Sequence, residues 1–594
     1  MTQSQNLPVI VIPRTPSPVE AFAARELSRY LGLLYSASAP SILSEPEAEG
    51  VENRFMISVG QTSAAAKIFE EAQKLKEDGY VLREIDGCLF IVGQNARGSL
   101  YGTYGFLEDF LGIRWPEPGT EAEVIPKIDR FDPTGLDCTE EPSLPHRTLR
   151  VWHPYESESG LREYIDWQAK QRMNYLYWHG GSDDYELQDD VLAPFHDSDG
   201  EFLRFVKQRG FIIDNSSHSF KRFFKETPVD ISSRETEDHI VGVLCDYLDR
   251  HPFLDYLRLW SSDGWGGGVL GTEESAPLDY PDNRAITSEM DFRVDPGTTM
   301  PSITNTFVDF LNRVEERVRE RHPKIHLTMI AYNKTLLAPT RVKNAEGQQV
   351  CTAFRRSYSH GFGDSESAWN TPQRAEFECW LESCNHVVMY EYYLTGNLGS
   401  FGRPNPHIIA EDLKYLASVG AAGTGSQSRS DLFRNLGPNY YTYAKCSWNV
   451  DRVVDQVLED YYEATYGAVA APKVKEMFDR WESIWNSGGD YFRYDWEKIQ
   501  PLFTDEVCVE LQALCKEAIQ LVESQKDKEN DNTIYLKRCH ELSIVLDGVQ
   551  LLVQFARTGD ESVSRRIEEL NKHSFIFLWT KRIKRARELH IKGY

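Results

Sequence analysis

Two acidic residues end apolar runs, an arrangement that can present carboxylates for chemistry. Asp263 follows LRLW in the sequence LRLWSSDG, and Glu391 ends VVMYE beside Tyr390 and Tyr392. Glycosidic bonds are hydrolysed by a carboxylic acid that protonates the leaving oxygen and a second group that acts as nucleophile or activates water. The surrounding tyrosines lower the local polarity and tend to raise a carboxyl pKa. We therefore predict Glu391 as the proton donor and Asp263 as the catalytic residue that orients substrate or stabilises charge.

Other roles for these residues stay open. Asp-Gly is a frequent turn pair, so Asp263 could cap a turn, and Glu391 could bind sugar hydroxyls instead of donating a proton. His153, His179 and His218 with Asp263 would suit zinc or iron, but no H-E-x-x-H pairing supports a metal site. No G-x-S-x-G elbow indicates a nucleophilic serine. The sequence predicts neither a metal nor a cofactor.

The elements that would position these residues are short apolar runs alternating with amphipathic helical stretches. This alternation is typical of a parallel sheet, and eight runs in about 280 residues match the size of a (β/α)8 barrel. A doubly wound open sheet is the alternative, although no G-x-G-x-x-G turn supports its nucleotide-binding form. The eight predicted strands are 148–152, 173–178, 210–214, 256–260, 326–331, 350–354, 386–390 and 420–424.

Polar and aromatic residues follow the predicted strands, on the face where such barrels carry their active sites. We expect tryptophan and tyrosine to stack on sugar rings, and histidine, asparagine and arginine to bind hydroxyls or a charged substituent. The predicted substrate-binding residues are Trp152, His153, His179, His218, Trp265, Tyr332, Asn333, Arg356, Tyr392 and Gln427.

The predicted fold class is α/β, with a central (β/α)8 TIM barrel between two further domains. Residues 1–115 are predicted to form a small α/β domain, and the capping box of Ser17 and Glu20 predicts the start of its first helix. Proline-rich residues 116–145 form an extended linker, residues 146–445 form the barrel, and residues 446–594 form a helical domain.

Charge and cysteine usage limit the partners. A net charge of −26 and few basic tracts disfavour nucleic acid and anionic membrane surfaces. The ten cysteines contain no C-x-x-C pair, which indicates reduced thiols. With an N-terminus that lacks an apolar leader, the expected location is cytoplasmic. The expected partner is an oligosaccharide or glycoside, with a homodimer as an open alternative.

Two stretches carry a family resemblance. The sequence YVLREIDGCLFIVGQNARGSLYGTYGFLEDFLGIRW resembles the domain that precedes the barrel in family 20 hexosaminidases and family 67 α-glucuronidases. The series SSDG, FVDFLNRVEERV, HLTMIAYNK, VVMYEYY, RPNPHIIAEDLKYLASVGAAG and YYTYAKCSWNVD resembles the domain-of-unknown-function 4838 proteins, partly classified as glycoside hydrolase family 163. Together the resemblance spans roughly residues 6 to 490.

The resemblance implies an endo-β-N-acetylglucosaminidase in which the substrate's own acetamido group replaces a protein nucleophile. Asp263 and Glu391 match acidic positions of the family pattern. The chain departs from it at Gly266, Gly267 and Gly268, where many relatives carry cysteines, and in lacking a leader. The predicted function is therefore a glycoside hydrolase of β-N-acetylglucosaminide type, retaining or substrate-assisted. An α-glucuronidase-like exo-hydrolase and a non-catalytic carbohydrate-binding barrel are the alternatives.

Overall fold

The structure is a computed structural model of the 594-residue chain. It describes residues 7–36, 38–51, 54–128, 131–153, 158–180, 189–196, 199–216, 231, 233–260, 284–291, 294, 297–394, 402–429, 432–489, 500–525 and 533–573.

An N-terminal six-stranded sheet is covered by helices. Its strands are β1 (Val9–Ile12), β2 (Ile42–Ser44), β3 (Met56–Val59), β4 (Tyr80–Ile85), β5 (Cys88–Gly93) and β6 (Asp137–Glu140), in the order β2-β1-β3-β5-β4-β6. Its helices are α1 (Pro18–Leu34), α2 (Glu45–Ala48), α3 (Ala66–Ala72) and α4 (Ala96–Gly105). The predicted capping box is present, since Ser17 accepts from the Glu20 amide and Glu20 accepts from that of Ser17. β6 places a strand of this sheet within the predicted linker.

The predicted (β/α)8 barrel is confirmed, because each of the eight predicted runs overlaps a strand of one closed parallel barrel. In chain order the barrel strands are β7 (His146–His153), β8 (Tyr175–Gly180), β9 (Ile212–Ser216), β10 (Tyr256–Arg258), β13 (His326–Ala331), β14 (Gln349–Thr352), β15 (Val387–Glu391) and β16 (Gly423–Ser426). A separate hairpin pairs β11 (Ala285–Thr287) with β12 (Thr299–Pro301).

Helices surround the barrel. They are α5 (Glu158–Lys170), α6 (Glu201–Lys207), α7 (Arg234–Arg250), α8 (Thr304–Arg321), α9 (Asn370–Ser383) and α10 (Pro406–Ser418). One face of α8 is apolar and buried, including Phe307, Leu311 and Val318.

The last described part of the chain is helical, as predicted. It contains α11 (Phe433–Trp448), α12 (Val454–Asn486), α13 (Asp505–Glu523), α14 (Thr533–Thr558) and α15 (Glu561–Leu570). α12 bends at Gly467, whose φ of 78° is not helical. From α12 onward the helices share an apolar core of their own, which includes Trp481 and Trp485.

The N-terminal domain is fastened to the barrel by a buried carboxylate. Asp78 Oδ2 accepts hydrogen bonds from Arg147 Nη2 and Asn174 Nδ2, both at 2.9 Å, and Asp78 Oδ1 accepts from Arg97 Nε at 2.6 Å. Because Arg147 belongs to the start of β7, these bonds fix the domain near the amino-terminal end of the barrel. None of the described helices is long and apolar enough to span a lipid bilayer.

Candidate active site at the carboxyl end of the barrel

The side chains of each barrel strand alternate between the lumen and the helix layer. On β15, Val388 and Tyr390 belong to the apolar cluster inside the barrel, whereas Val387 and Met389 pack in the layer between strands and helices. This alternation decides which predicted residues face the place where a substrate would bind. Residues that share the side of Tyr390 face the lumen, and residues that share the side of Met389 face the helices.

Aromatic rings line the lumen at its carboxyl end. The ring centroid of Tyr390 lies 5.7 Å from that of Trp260 and 5.2 Å from that of Tyr392, both edge to face. Tyr332 and Tyr392 are only partly buried and pack against the lumen cluster. We call Trp260, Tyr332, Tyr390 and Tyr392 the mouth cluster. Two of the predicted stacking residues, Tyr332 and Tyr392, are therefore brought together at the predicted end of the barrel.

A buried ion pair supports the mouth cluster from below. Arg258 Nε lies 2.8 Å from Asp214 Oδ1, and the guanidinium lies 4.4 Å from the Trp260 ring centroid and 3.9 Å from that of Tyr177. Asp214 is a member of β9 and Arg258 of β10. The floor of the mouth is thus set by packed, charge-paired side chains.

Polar groups border the aromatic rings. The side chain of Gln427, a predicted substrate-binding residue, lies close enough to the Tyr390 hydroxyl to lower its pKa in part. Burial raises the pKa of Tyr390, and the positive charge of nearby Arg150 opposes this rise only in part. Tyr390 therefore stays a neutral phenol at the edge of a site that also carries an arginine.

Glu391 ends β15 as predicted, but its carboxyl group lies on the helix side. It pairs in register with Ser426 and shares the strand face of Met389, not that of Tyr390. The residue is only 1% exposed. Glu391 Oε2 accepts a 2.6 Å hydrogen bond from the Tyr358 hydroxyl. The proton-donor role of Glu391 stays a prediction, and the geometry places the aromatic lumen on the opposite side of its strand.

Arg356 lies in the same layer, between two carboxylates. Its Nε is 2.9 Å from Glu391 Oε1, an ion-pair distance, although the N–H does not point at that oxygen well enough for a hydrogen bond. Its Nη2 forms an ion pair with Asp412 Oδ2 on α10. Arg356 was predicted to bind substrate, and in this arrangement its charge is already shared by two protein carboxylates.

The Arg356 guanidinium affects the protonation of both carboxylates, Glu391 and Asp412. Burial raises the pKa of Glu391, and the charge of Asp412 adds to this rise while Arg356 opposes it. Asp412 is better supplied with donors, because it also accepts from the Tyr393 hydroxyl at 2.7 Å and from the Phe362 amide. Two buried carboxylates beside one guanidinium leave one negative charge unmatched. A proton on this cluster is therefore best held by Glu391.

Asn333 occupies a turn rather than a strand. It begins the 3₁₀ turn Asn333–Thr335 shortly after β13 and has a φ of 56°. The residue is buried. Asparagine tolerates this left-handed conformation better than most residues. The turn places Tyr332 at the end of the strand, in the mouth cluster.

Several predicted residues lie outside the described part of the chain. They are Asp263, Trp265 and His218, together with the side chains of Trp152, His153 and His179, whose backbones belong to β7 and β8. Trp152 and His179 are direct register partners across these two strands. The roles assigned to all six residues stay predictions. Among the described residues, no three histidine, cysteine, aspartate or glutamate side chains are grouped to hold a metal ion.

Residues that the sequence did not single out complete the arrangement. Trp260 was predicted only as strand, and Asp412 was noted only as part of the family motif RPNPHIIAEDLKYLASVGAAG. A tryptophan that ends an apolar run before Ser-Ser-Asp-Gly was a usable signal for the mouth. Asp412 gave none, because its partner Arg356 is 56 residues away in the chain.

Two parts of the chain resemble known protein families. Residues 288–479 match the family model "Domain of unknown function (DUF4838)", and residues 1–106 match "Glycosyl hydrolase family 67 N-terminus". The resemblance inferred from the motifs is confirmed by these two matches. A β-hexosaminidase of Porphyromonas gingivalis (strain ATCC BAA-308 / W83) is 27% identical over 128 residues. That stretch is 21% of this chain and spans only 16% of the hexosaminidase.

Solved structures share the fold. A family GH115 4-O-methyl-α-glucuronidase with specificity for decorated arabinogalactans superposes with a TM-score of 0.59 at 14% identity, covering 96% of this chain and 76% of its own. A GH138 enzyme targeting pectin rhamnogalacturonan II superposes with a TM-score of 0.51 at 10% identity, covering 96% and 73%. Both neighbours and the family of the N-terminal match are glycoside hydrolases, the class that the sequence predicted.

Proposed function

We propose that this chain is a glycoside hydrolase that binds an oligosaccharide across the mouth of its barrel. The observation that carries the proposal is the pair of partly exposed tyrosines, Tyr332 and Tyr392, at the carboxyl ends of β13 and β15 above the Trp260 and Tyr390 rings. Flat aromatic faces at the carboxyl end of such a barrel suit sugar rings. The glycoside hydrolase matches support the same class.

The two predicted carboxylates take different parts in this proposal. Asp263 follows β10, whose neighbour Trp260 is part of the mouth cluster, and we assign it the contact with the reacting atoms. Glu391 lies behind the mouth and acts on the substrate through its neighbours, as a positioning residue. Hydrolysis then breaks the bond between the anomeric carbon and the leaving oxygen. The oxygen gains a proton and the anomeric carbon finally gains a hydroxyl from water.

A β-N-acetylglucosaminide is the first substrate class that we propose. The match to a β-hexosaminidase supports it. In such a substrate the acetamido oxygen attacks the anomeric carbon, so that Asp263 would need only to orient this group or donate the proton. Such a mechanism needs no second carboxylate at the mouth, and Glu391 lies on the helix side of its strand.

An α-glucuronide is the second candidate, on a separate observation. Arg150 lies near the Tyr390 hydroxyl inside the lumen, and a guanidinium there would pair with the carboxylate of a uronic acid. The family 67 match over residues 1–106 and the GH115 neighbour support this class.

Turnover assays separate these proposals. Aryl β-N-acetylglucosaminide, aryl α-glucuronide, N,N′-diacetylchitobiose and a glucuronic-acid-substituted xylo-oligosaccharide would be incubated with the wild type and with Asp263→Asn. The variant should lose at least about 100-fold in kcat on the accepted substrate, as expected when an acid or base is removed. Undiminished kcat in Asp263→Asn would refute its assignment.

A second pair of variants tests the mouth. Tyr392→Ala should raise KM several-fold, since aromatic stacking contributes about 0.5–1.5 kcal/mol. Tyr415→Ala is the matched control, because Tyr415 is a partly buried tyrosine on α10 whose hydroxyl binds Glu378. Calorimetric binding of these glycans without turnover would favour a carbohydrate-binding barrel over an enzyme.

A further inference from the structure

The strand end that carries Tyr392 is fastened by the residues on either side of it. Glu391 and Tyr393 both face the helix layer, while the Tyr392 ring between them contacts Tyr390 of the lumen cluster and also touches the edge of the main core. β15 ends at Glu391 and Tyr393 begins a turn, so the direction of each of the three side chains is given by its own contacts. A residue held by two anchors on the far side has little freedom to turn. The direction of Tyr392 therefore depends on what holds Glu391 and Tyr393.

Both anchors meet at the same helix residue. Asp412 Oδ2 accepts the 2.7 Å hydrogen bond from the Tyr393 hydroxyl, and Asp412 is also ion-paired with Arg356. Arg356 in turn reaches Glu391, with Nε 2.9 Å from Oε1. Asp412 is fully buried, and Arg356 and Glu391 are each 1% exposed. Because these groups are buried away from water, their charge-assisted contacts are strong and poorly screened.

Two further contacts connect this cluster with its surroundings. The Phe362 amide donates to Asp412 Oδ1, so the segment after β14 is tied to the same carboxylate. Asn439 Nδ2 on α11 donates to the Tyr393 carbonyl oxygen at 3.0 Å. Three segments around the end of β15 are thus joined, and Asp412 is the residue that the side chains of Arg356 and Tyr393 share.

We propose that Asp412 is a positioning residue for the barrel mouth, which fixes the segment Glu391–Tyr393 through Arg356 and Tyr393 and so sets the direction of the Tyr392 ring. Only the last step, contact between that ring and a sugar, rests on the proposed function. Removal of the Asp412 charge leaves Arg356 matched by Glu391, so the pair stays neutral and the fold should survive. Asparagine keeps only one of the two acceptor oxygens, so the Tyr393 hydroxyl and the Phe362 amide can no longer both be satisfied, and Arg356 loses its charged partner on α10.

The experiment observes Tyr392 without any glycan. 3-Fluorotyrosine is placed at position 392 in one full-length sample and at position 332 in another, and ¹⁹F NMR is recorded for the unsubstituted chain and for Asp412→Asn. We expect the resonance at 392 to shift or split by more than its linewidth in the variant, while the resonance at 332, on another strand, stays in place. Glu411→Gln, the same acid-to-amide change at the exposed neighbouring residue, should leave both resonances unchanged.

A milder variant covers the case in which Asp412→Asn does not fold. Tyr393→Phe removes only one hydroxyl and its hydrogen bond to Asp412, and it should move the 392 resonance in the same way. An unchanged 392 resonance in folded Asp412→Asn or in Tyr393→Phe would overturn the proposal. So would equal changes at 332 and 392, because these would indicate a general effect on the barrel.

Turnover gives the second measurement. On any accepted glycan, Asp412→Asn and Tyr393→Phe should raise KM several-fold with little change in kcat, and neither should add to the KM effect of Tyr392→Ala in a double variant. Additive effects would contradict the positioning role. If no glycan is turned over or bound while the ¹⁹F result holds, the proposed function fails and the role of Asp412 stands.

Discussion

Glu391 lies at the end of a barrel strand, next to the buried charges of Arg356 and Asp412. It was predicted at the right strand end, but the sequence could not tell which face of the strand it occupies. The strands of a parallel barrel are buried on both sides, so Val387, Val388 and Met389 give no alternation from which to read the lumen side. Asp412, which shares Arg356 with Glu391, could not be predicted from the sequence either. Only the fold brings α10 close to the end of β14.

Replacement of Glu391 by glutamine should make stability less dependent on pH. Burial and Asp412 raise the pKa of Glu391 above its usual value, so the folded state binds a proton more tightly than the unfolded chain. This costs stability as the pH rises above about 4.5, by about 1.4 kcal/mol for each pH unit between the two pKa values. Urea unfolding at pH 5 and pH 8 should show a smaller loss in Glu391→Gln than in the wild type.

Glu382→Gln is the control, because Glu382 is an exposed glutamate on α9, away from Asp412. An equal loss of stability between pH 5 and pH 8 in wild type and Glu391→Gln would show that Glu391 is already ionised in the folded protein.

At the scale of elements, the sequence predicted the barrel well. All eight strand runs were found, since apolar runs between amphipathic helices are a strong local signal. The sequence could not predict which side chains come into contact at the amino-terminal ends of the barrel strands. His146 begins β7 and His386 precedes β15, 240 residues later, yet His146 Nδ1 lies 3.3 Å from His386 Nε2, with His326 of β13 nearby.

These histidines should make the barrel sensitive to acid. Burial lowers the pKa of His386 to about 4, with a further contribution from His326, and burial also lowers that of His146. Neutral imidazole is favoured in the folded state, so stability is lost as the pH falls below about 6.5, by up to about 1.4 kcal/mol per pH unit for each group.

His386→Gln should therefore lose less stability than the wild type between pH 7 and pH 5, as measured by urea unfolding. His239→Gln, at an exposed position on α7, should follow the wild type. A loss in His386→Gln as steep as that of the wild type would place the acid sensitivity elsewhere.

At the scale of the whole molecule, the predicted order of an α/β domain, a barrel and a helical domain agrees with the described elements, while the domain boundaries stay predictions. Contacts between the parts were beyond the sequence. Asp78 joins the N-terminal sheet to Arg147 of β7, and Lys445 of α11 forms an ion pair with Glu108. The residues of the first pair are 69 positions apart in the chain and those of the second are 337 apart. No local sequence pattern predicts such pairs.

Loss of the Asp78 carboxylate should destabilise the junction strongly. Although burial alone would raise it, Arg97 and Arg147 hold the pKa of Asp78 below its usual value. Asp78→Asn leaves a fully buried Arg147 without its counter-charge, which should cost about 3–5 kcal/mol of unfolding free energy at pH 7.

The difference should shrink as the pH falls below the usual aspartate pKa, because Asp78 of the unfolded chain then binds a proton while the folded carboxylate stays ionised down to its lowered pKa. Asp137→Asn, which breaks an exposed pair with Arg83, should cost no more than about 1 kcal/mol. Equal effects of the two variants would show that the Asp78 cluster does not hold the domains together.

The central claim is that water cleaves a glycosidic bond at the mouth of this barrel. The most direct measurement is mass spectrometry of the four glycosides named above after incubation with the wild type in H₂¹⁸O, with Asp263→Asn in parallel. We predict that one substrate class releases a sugar carrying a single ¹⁸O atom at its reducing end, and that the variant releases at least about 100-fold less. Calorimetric binding of one of these glycans by the wild type, with no labelled sugar released from any of them, would contradict the account.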